Sequence, residues 1–298
     1  MFKLPLLIPF ALFTGVLVAV SPLDALAATS PRLGTALNFT VLAGSTVTNT
    51  GPSVITGNLG LAPGSSVPGF PPGNITGAKH VSDAVAIQAK NDLTTAYTDA
   101  ANAPMTTDMT GLDLGGRNLV AGVYKFRSSA QLTGPLTLSG GGVFIFQIVS
   151  TLTTASNSVV NLINGAQACS VFWQVGSSAT LGSATHFQGT LMALTSISMV
   201  TGANIISGRA MARNGAVTLD ANHITPPAGT CTAGSLGGSG GSGGSGGAGG
   251  PGTGGTPGSV PVPGTGSGMP NLVVPATLLV IGVVLIEAGR RTRAHATR

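Results

Sequence analysis

Groups that could share acid–base catalysis are few in this chain. Between residues 33 and 231 stand six carboxylates, Asp83, Asp92, Asp99, Asp108, Asp113 and Asp220, and the single Glu of the sequence, Glu287, lies beyond them. Cleaving a glycosidic or similar bond needs two carboxyls, or a carboxyl and a base, held across it, and these six form no cluster along the sequence. His80, His186 and His223 are scattered, and with Cys169 and Cys231 they make no four-ligand metal set. The expectation is a protein that is not an enzyme and carries no metal and no cofactor. Thr is abundant instead. Its branched side chain is stiff at χ1 and presents a hydroxyl beside a methyl. Repeated at fixed spacing on a rigid support, such groups form a weakly charged template for ordered water.

That support is legible as a degenerate repeat. Residues 182–189 align with 201–208 and then with 219–224, at offsets of 19 and 18, and residues 50–57 fit the same template. A period near 19 with a Gly corner fits one coil of a triangular β-solenoid, three short strands and three turns. Coils from both ends of the domain are thereby expected to stack together. One segment contrasts with the strands. Over residues 79–101, Val81, Ala84, Val85, Gln88, Leu93, Ala96, Tyr97 and Ala100 recur near helical spacing, and Pro104 closes the run. The fold class is mainly β, with this one long α-helix along the solenoid. Trp173 and Tyr124 read as core residues.

Composition and chain ends set the context. Only 7% of the 298 residues are charged, against 46 Gly and 19 Pro, which argues against an ordinary cytosolic enzyme. Arg290, Arg291, Arg293 and Arg298 supply most of the net charge of +5, while residues 33–231 carry seven Lys/Arg against six Asp. No basic face for nucleic acid is expected. Residues 1–28 read as a signal peptide: Lys3, an apolar run over 4–20, and Ala25-Leu26-Ala27 before cleavage after Ala27 or Ala28. An uncleaved anchor is the alternative. Residues 29–232 form the domain, and 233–271 a Gly/Ser/Pro-rich tether with no strand-to-helix context for a phosphate loop.

Residues 272–298 are an apolar tail ending in Arg, which the positive-inside rule keeps cytoplasmic, leaving the domain outside the cell. Just before the tail, Val262-Pro263-Gly264-Thr265-Gly266 resembles the Leu-Pro-x-Thr-Gly sorting signal, with Val in place of Leu. Either a sortase joins the chain to the cell wall, or the tail holds it in the membrane; both readings put the domain at the extracellular surface. In an oxidising compartment Cys169 and Cys231 are expected to pair as a disulfide, two free buried thiols being the other reading.

Residues 33–227 resemble the microbial ice-binding protein family. The matching stretches include residues 37–51, Val54-Ile55-Thr56-Gly57-Asn58-Leu59-Gly60, Ala121-Gly122-Val123-Tyr124, Val171-Phe172-Trp173-Gln174-Val175-Gly176-Ser177, Phe187-Gln188-Gly189-Thr190 and Gly215-Ala216-Val217-Thr218-Leu219. The resemblance implies a discontinuous right-handed β-solenoid with a helix alongside, and an ice crystal as partner. It also implies a Thr-Ala/Gly-x-Thr/Asn pattern on the binding face. Thr154-Ala155-Ser156-Asn157 and Thr201-Gly202-Ala203-Asn204 match that pattern; Thr50-Gly51-Pro52-Ser53 departs at its last residue, and two further coils keep Thr185 and Asn222. The ice-binding candidates are therefore Thr50, Ser53, Thr154, Asn157, Thr185, Thr201, Asn204 and Asn222. A surface adhesin or structural wall protein of the same fold, without ice activity, is the alternative.

Overall fold

The computed structural model describes residues 28–228. The expectations placed on the apolar run near the N-terminus, on Cys231, on the tether and on the tail with its motif at 262–266 lie outside the described residues.

Short parallel strands stack into three faces, which the chain visits in a fixed order, A, B, C. Phe39–Ala43 runs in face A, Val47–Thr50 in face B and Val54–Ile55 in face C, and Asn58–Leu61 returns to face A beside the first. Face B is a six-stranded sheet, ordered Ala130–Leu132, Leu152–Thr154, Ala179–Leu181, Ile197–Met199, Val217–Asp220 and Val47–Thr50.

The strand at the end of that order comes first in the chain. Val47 lies opposite Val217, Val41 opposite Ala210, and Val54 opposite His223, so the first coil stacks directly on the last. This is the expected joining of both ends of the domain. Because the stack grows away from that seam in both directions, its two extremities in face A, Lys79–Val81 and Thr107–Asp108, have to be connected along its whole length. Nine described strands at about 4.8 Å spacing make roughly 38 Å. Helix α1, Ala84–Asn102, has 19 residues and covers about 28 Å of that distance at 1.5 Å per residue.

The helix starts later than its periodicity suggests. Residues Lys79–Val81 form an edge strand, paired with residues 59–61, and Asp83 caps the helix by accepting the Ala86 N–H at 2.8 Å. Val85, placed inward by the periodic pattern, is 48% exposed, and Gln88 is exposed too. Ala86 and Ala89 instead face the solenoid, together with Ala96 and Ala100 as expected; their small size brings the helix close, and Leu93 and Tyr97 fill the gaps. The helix stops where Ala103 turns extended (ψ 134°), as the residue before Pro104 must.

Face A is thus buried on both sides, which explains the unbroken apolar runs of Phe144–Ile148 and Val171–Val175. Toward the helix it offers Phe39, Leu42, Ile145, Phe172, Met192 and Met211. Inside the triangle an aromatic column runs through successive coils, Tyr124, Phe146, Trp173 and Phe187, with ring centroids 5.4, 4.0 and 4.8 Å apart. Trp173 and Tyr124 are core residues, as expected, and the Trp173 indole donates to the Gln188 carbonyl at 3.0 Å.

The repeat is real, but its alignment shifts by one residue. His186 pairs with Asn204 and Ile205 with Ile224, whereas the sequence alignment paired His186 with Ile205 and Ile205 with His223. A bulge between Phe187 and Gln188 absorbs the difference. Beyond it Gly189 pairs with Gly208 as aligned, at the corner from face C to face A. Only Gly fits there: Gly189 has φ 101°, and a Cβ on Gly208 would stand 2.0 Å from the Gly189 carbonyl oxygen.

Candidate functional site

The carboxylates hold the fold rather than converge. Asp83 caps α1, Asp92 accepts from the Thr35 amide and hydroxyl, Asp99 pairs with Arg32, and Asp113 accepts from the Gly115 and Thr133 amides. Asp108 takes bonds from the Thr110 hydroxyl and amide and from Arg127, which hold its pKa at about 2. Among the described residues, no three His, Cys, Asp or Glu gather as a metal site.

The eight candidates from the resemblance fall at or beside the corner between faces B and C. That corner uses a left-handed residue in successive coils: Gly51 (φ 76°), Ala221 (51°), Gly202 (70°), Ala184 (53°) and Asn157 (59°). Next to each turn the chain dips inward, and here the candidates divide. Ser53, Thr154, Thr185 and Asn222 are buried. The hydroxyls of Thr154 and Thr185 lie 2.8 Å apart, and Thr154 Oγ1 accepts the Gly182 N–H at 2.9 Å. Asn222 accepts from the Asp220 amide at 2.6 Å and donates to the carbonyls of Val200 and Ala203, while its own amide donates to Ser53 Oγ at 2.9 Å. These four side chains satisfy backbone groups inside the corner, so in this structure they face no solvent and cannot touch a crystal. Thr50, Thr201 and Asn157 are exposed; Asn204 is half-buried, its Oδ1 accepting the His223 N–H at 2.7 Å.

The sequence reading missed the central row of face B. Gln131, Thr153, Thr180, Ser198, Thr218 and Thr48 stand in continuous register, one per coil, each flanked along its strand by residues turned inward. Strand alternation puts them on the outer surface. On one side, backbone bonds set a second row, Thr151, Ser178, Ser196, Ala216, Thr46 and Ser66. On the other side, the rim row is Ser156, Ser183, Thr201, Asp220 and Thr50. The signal for the central row lay in apolar–hydroxyl–apolar triplets such as Ala179-Thr180-Leu181, Ile197-Ser198-Met199 and Val217-Thr218-Leu219.

Face B differs from its two neighbours. Face A lies under α1. Along face C the outward row mixes Pro135, Val159, His186, Asn204, His223, Val54 and Asn74, so no one chemistry repeats. Among the described residues, face B alone of the three is open and dominated by one chemistry. With spacings of about 4.8 Å between coils and about 6.7 Å between alternate residues on a strand, its central and second rows form a lattice of small hydroxyls on an apolar support, while the rim row follows two residues on at Asp220 and Thr50 and three residues on at Ser156, Ser183 and Thr201. Such a surface has no reacting pair; what it can do is hold many water molecules in a repeating pattern.

Comparison with known proteins agrees with this geometry. The model of the family described as ice-binding-like matches residues 41–225. An ice-binding protein of Nostoc sp. (strain HG1) is 57% identical over 206 residues, covering 68% of this chain and 76% of that protein. Among solved structures, an ice-binding protein from an Antarctic biological consortium superposes with a TM-score of 0.66 at 47% identity, covering 70% of this chain and 96% of that one. Another, from the Antarctic ascomycete Antarctomyces psychrotrophicus, gives a TM-score of 0.64 at 44% identity, with 66% and 98% covered.

Proposed function

Because the chain belongs to the ice-binding-like family, we propose that it works by adsorption of face B to ice. The observation that carries this reading is the unbroken central row from Gln131 to Thr48, flanked by two more rows and covered by none of the described residues. Outward hydroxyls order water at the spacing of the coils; that layer joins the crystal, and growth is pinned or the cell is held to ice. Each hydroxyl contributes little, on the order of 1 kcal/mol net at most, so the array acts as a unit and flatness matters more than any one side chain. The test is a fluorescent copy of the protein around a single ice crystal just below melting. Faceted, labelled and arrested crystals are expected. Round, unlabelled crystals beside folded protein turn the function toward an adhesin or wall component.

Export and surface display complete the reading. The signal peptide directs secretion, and the tether and tail retain the domain at the surface, by sortase attachment to the wall or as a membrane anchor. In support, the described chain leaves through Thr225–Pro226 beside Gly57, at the corner between faces C and A and away from face B. Cys169, half-buried, sits in the turn Ala168–Ser170 that enters face A, and in an oxidising compartment it pairs with Cys231. Intact mass before and after reduction and alkylation checks the bridge; fractionation of cells with and without sortase separates wall from membrane.

A further inference from the structure

Face B carries one charge within its six strands. These strands and the two flanking rows hold Thr, Ser, Ala and Gln outward, with Asp220 as their one ionisable side chain; Asp113, bridged to Gln131 beyond the last of them, has its carboxylate engaged by the Gly115 and Thr133 amides. We infer that Asp220 restrains the face: it lowers the affinity for ice, and replacing it with a neutral group that both donates and accepts raises that affinity. This rests on the reading of face B as the adsorbing surface.

Asp220 stands in the rim row between Thr201 and Thr50, in register with Thr50. Its carboxylate accepts a hydrogen bond from the Thr201 hydroxyl. Its main chain is held independently, the amide donating to Asn222 Oδ1 and the carbonyl accepting from the Gly202 amide at 3.1 Å. The side chain is therefore not what shapes the corner.

The cost to adsorption follows from donor count. Each water of an ice lattice both donates and accepts, and a hydroxyl does the same, so a row of Thr and Ser can stand in for lattice positions. An ionised carboxylate only accepts. Waters around it must all turn a proton inward, and the Thr201 proton is already committed to it. The charge also keeps its own hydration, which contact with a solid face must preserve out of register or strip at a high free-energy cost. The neighbouring positions of the row show that a hydroxyl fits there.

The experiment compares the full chain with its Asp220→Asn and Asp220→Thr variants. Measurements are the unfolding midpoint, the fluorescence adsorbed on a single ice crystal, and the concentration that arrests its growth. Both variants are expected to keep the wild-type midpoint within a few degrees and to arrest growth at a several-fold lower concentration. Asp220→Asn, nearly isosteric, keeps the comparison valid if Thr perturbs the corner. Unchanged or weaker adsorption by folded variants, with the wild type labelling ice, overturns this inference alone. A wild-type chain that leaves ice unlabelled overturns the reading of face B along with it.

Discussion

The hydroxyls of Thr48 and Thr218 are hydrogen-bonded at 3.2 Å, although 170 residues separate them in the chain. The bond lies on the seam where the first coil meets the last, so the outward row of face B runs across it without a break. A lattice of this length needs the return of the chain through α1.

Bulky substitution in the middle of face B is the most direct check on which face adsorbs. Thr180→Tyr and Ser198→Tyr should each raise the concentration needed for growth arrest by about tenfold, a loss near 1.4 kcal/mol of adsorption, whereas His186→Tyr on face C should leave it unchanged. At the rim, Thr201→Tyr should harm activity more than Thr201→Ser. Equal effects on faces B and C, at equal folding midpoints, would defeat the assignment.

The buried corner residues should behave in the opposite way. Asn222 is fully buried with its amide oxygen and nitrogen all engaged, so Asn222→Ala strands backbone groups at a cost of about 2–4 kcal/mol of stability. Thr185→Val, which removes the hydroxyl shared with Thr154, should cost about 1–2 kcal/mol. Denaturant unfolding measures both. The ice activity of the fraction that remains folded should be close to wild type, which separates a structural hydroxyl from an adsorbing one.

The left-handed column predicts a gain. Ala184 and Ala221 have φ near 50° where other coils place Gly or Asn, and a Cβ there is strained by about 1 kcal/mol. Ala184→Gly should be neutral or stabilising by up to about 1 kcal/mol. Ala203→Gly, at a buried position in the adjoining coil, should destabilise. Thermal melts of the two proteins give the comparison.

Lys90 makes the hold of α1 on the solenoid sensitive to pH. Its ammonium donates to the carbonyls of Ala212 and Arg213 at 2.6 and 2.5 Å. Burial, reinforced by the nearby Arg213 charge, lowers its pKa to about 7, against about 10.4 for lysine in an unfolded chain. Between those values the unfolded state binds more protons than the folded one, so stability rises with pH through this window and is smallest below pH 7. Lys90→Met should flatten that slope between pH 7 and 9 in denaturant titrations. An unchanged slope would mean that the two carbonyls keep the amine charged in the fold.

What the sequence made legible follows from which physical signals are local. Stacking of both ends of the domain could be read because residues 50–57 carry the same Gly-punctuated template as residues 182–224. The helix could be read because Leu93, Ala96, Tyr97 and Ala100 keep helical spacing; its start could not, since Lys79-His80-Val81 pairs with a strand that comes about 20 residues earlier, and only tertiary pairing reveals it. The site was half legible for a different reason. Thr154 and Thr185 inside the corner are the same residue type as Thr153 and Thr180 outside it, and one position along a strand decides which face a side chain takes. The bulge at Phe187–Gln188 and the left-handed turns shift that phase from coil to coil, beyond what a fixed period can track.

The seam also decides how the domain carries tension. His223–Ile224, the strand from which the chain departs, is paired on one side with residues 204–205 and on the other with Val54–Ile55. A pull on the C-terminal end therefore acts on the middle of the stack, where a strand has two partners, and not on an outermost coil that could peel away one hydrogen bond at a time. The exit corner lies across the triangle from face B, so a crystal gripping that face and a pull at the chain end would stretch the domain from opposite sides. Rupture then requires strands on both sides of the seam to yield together.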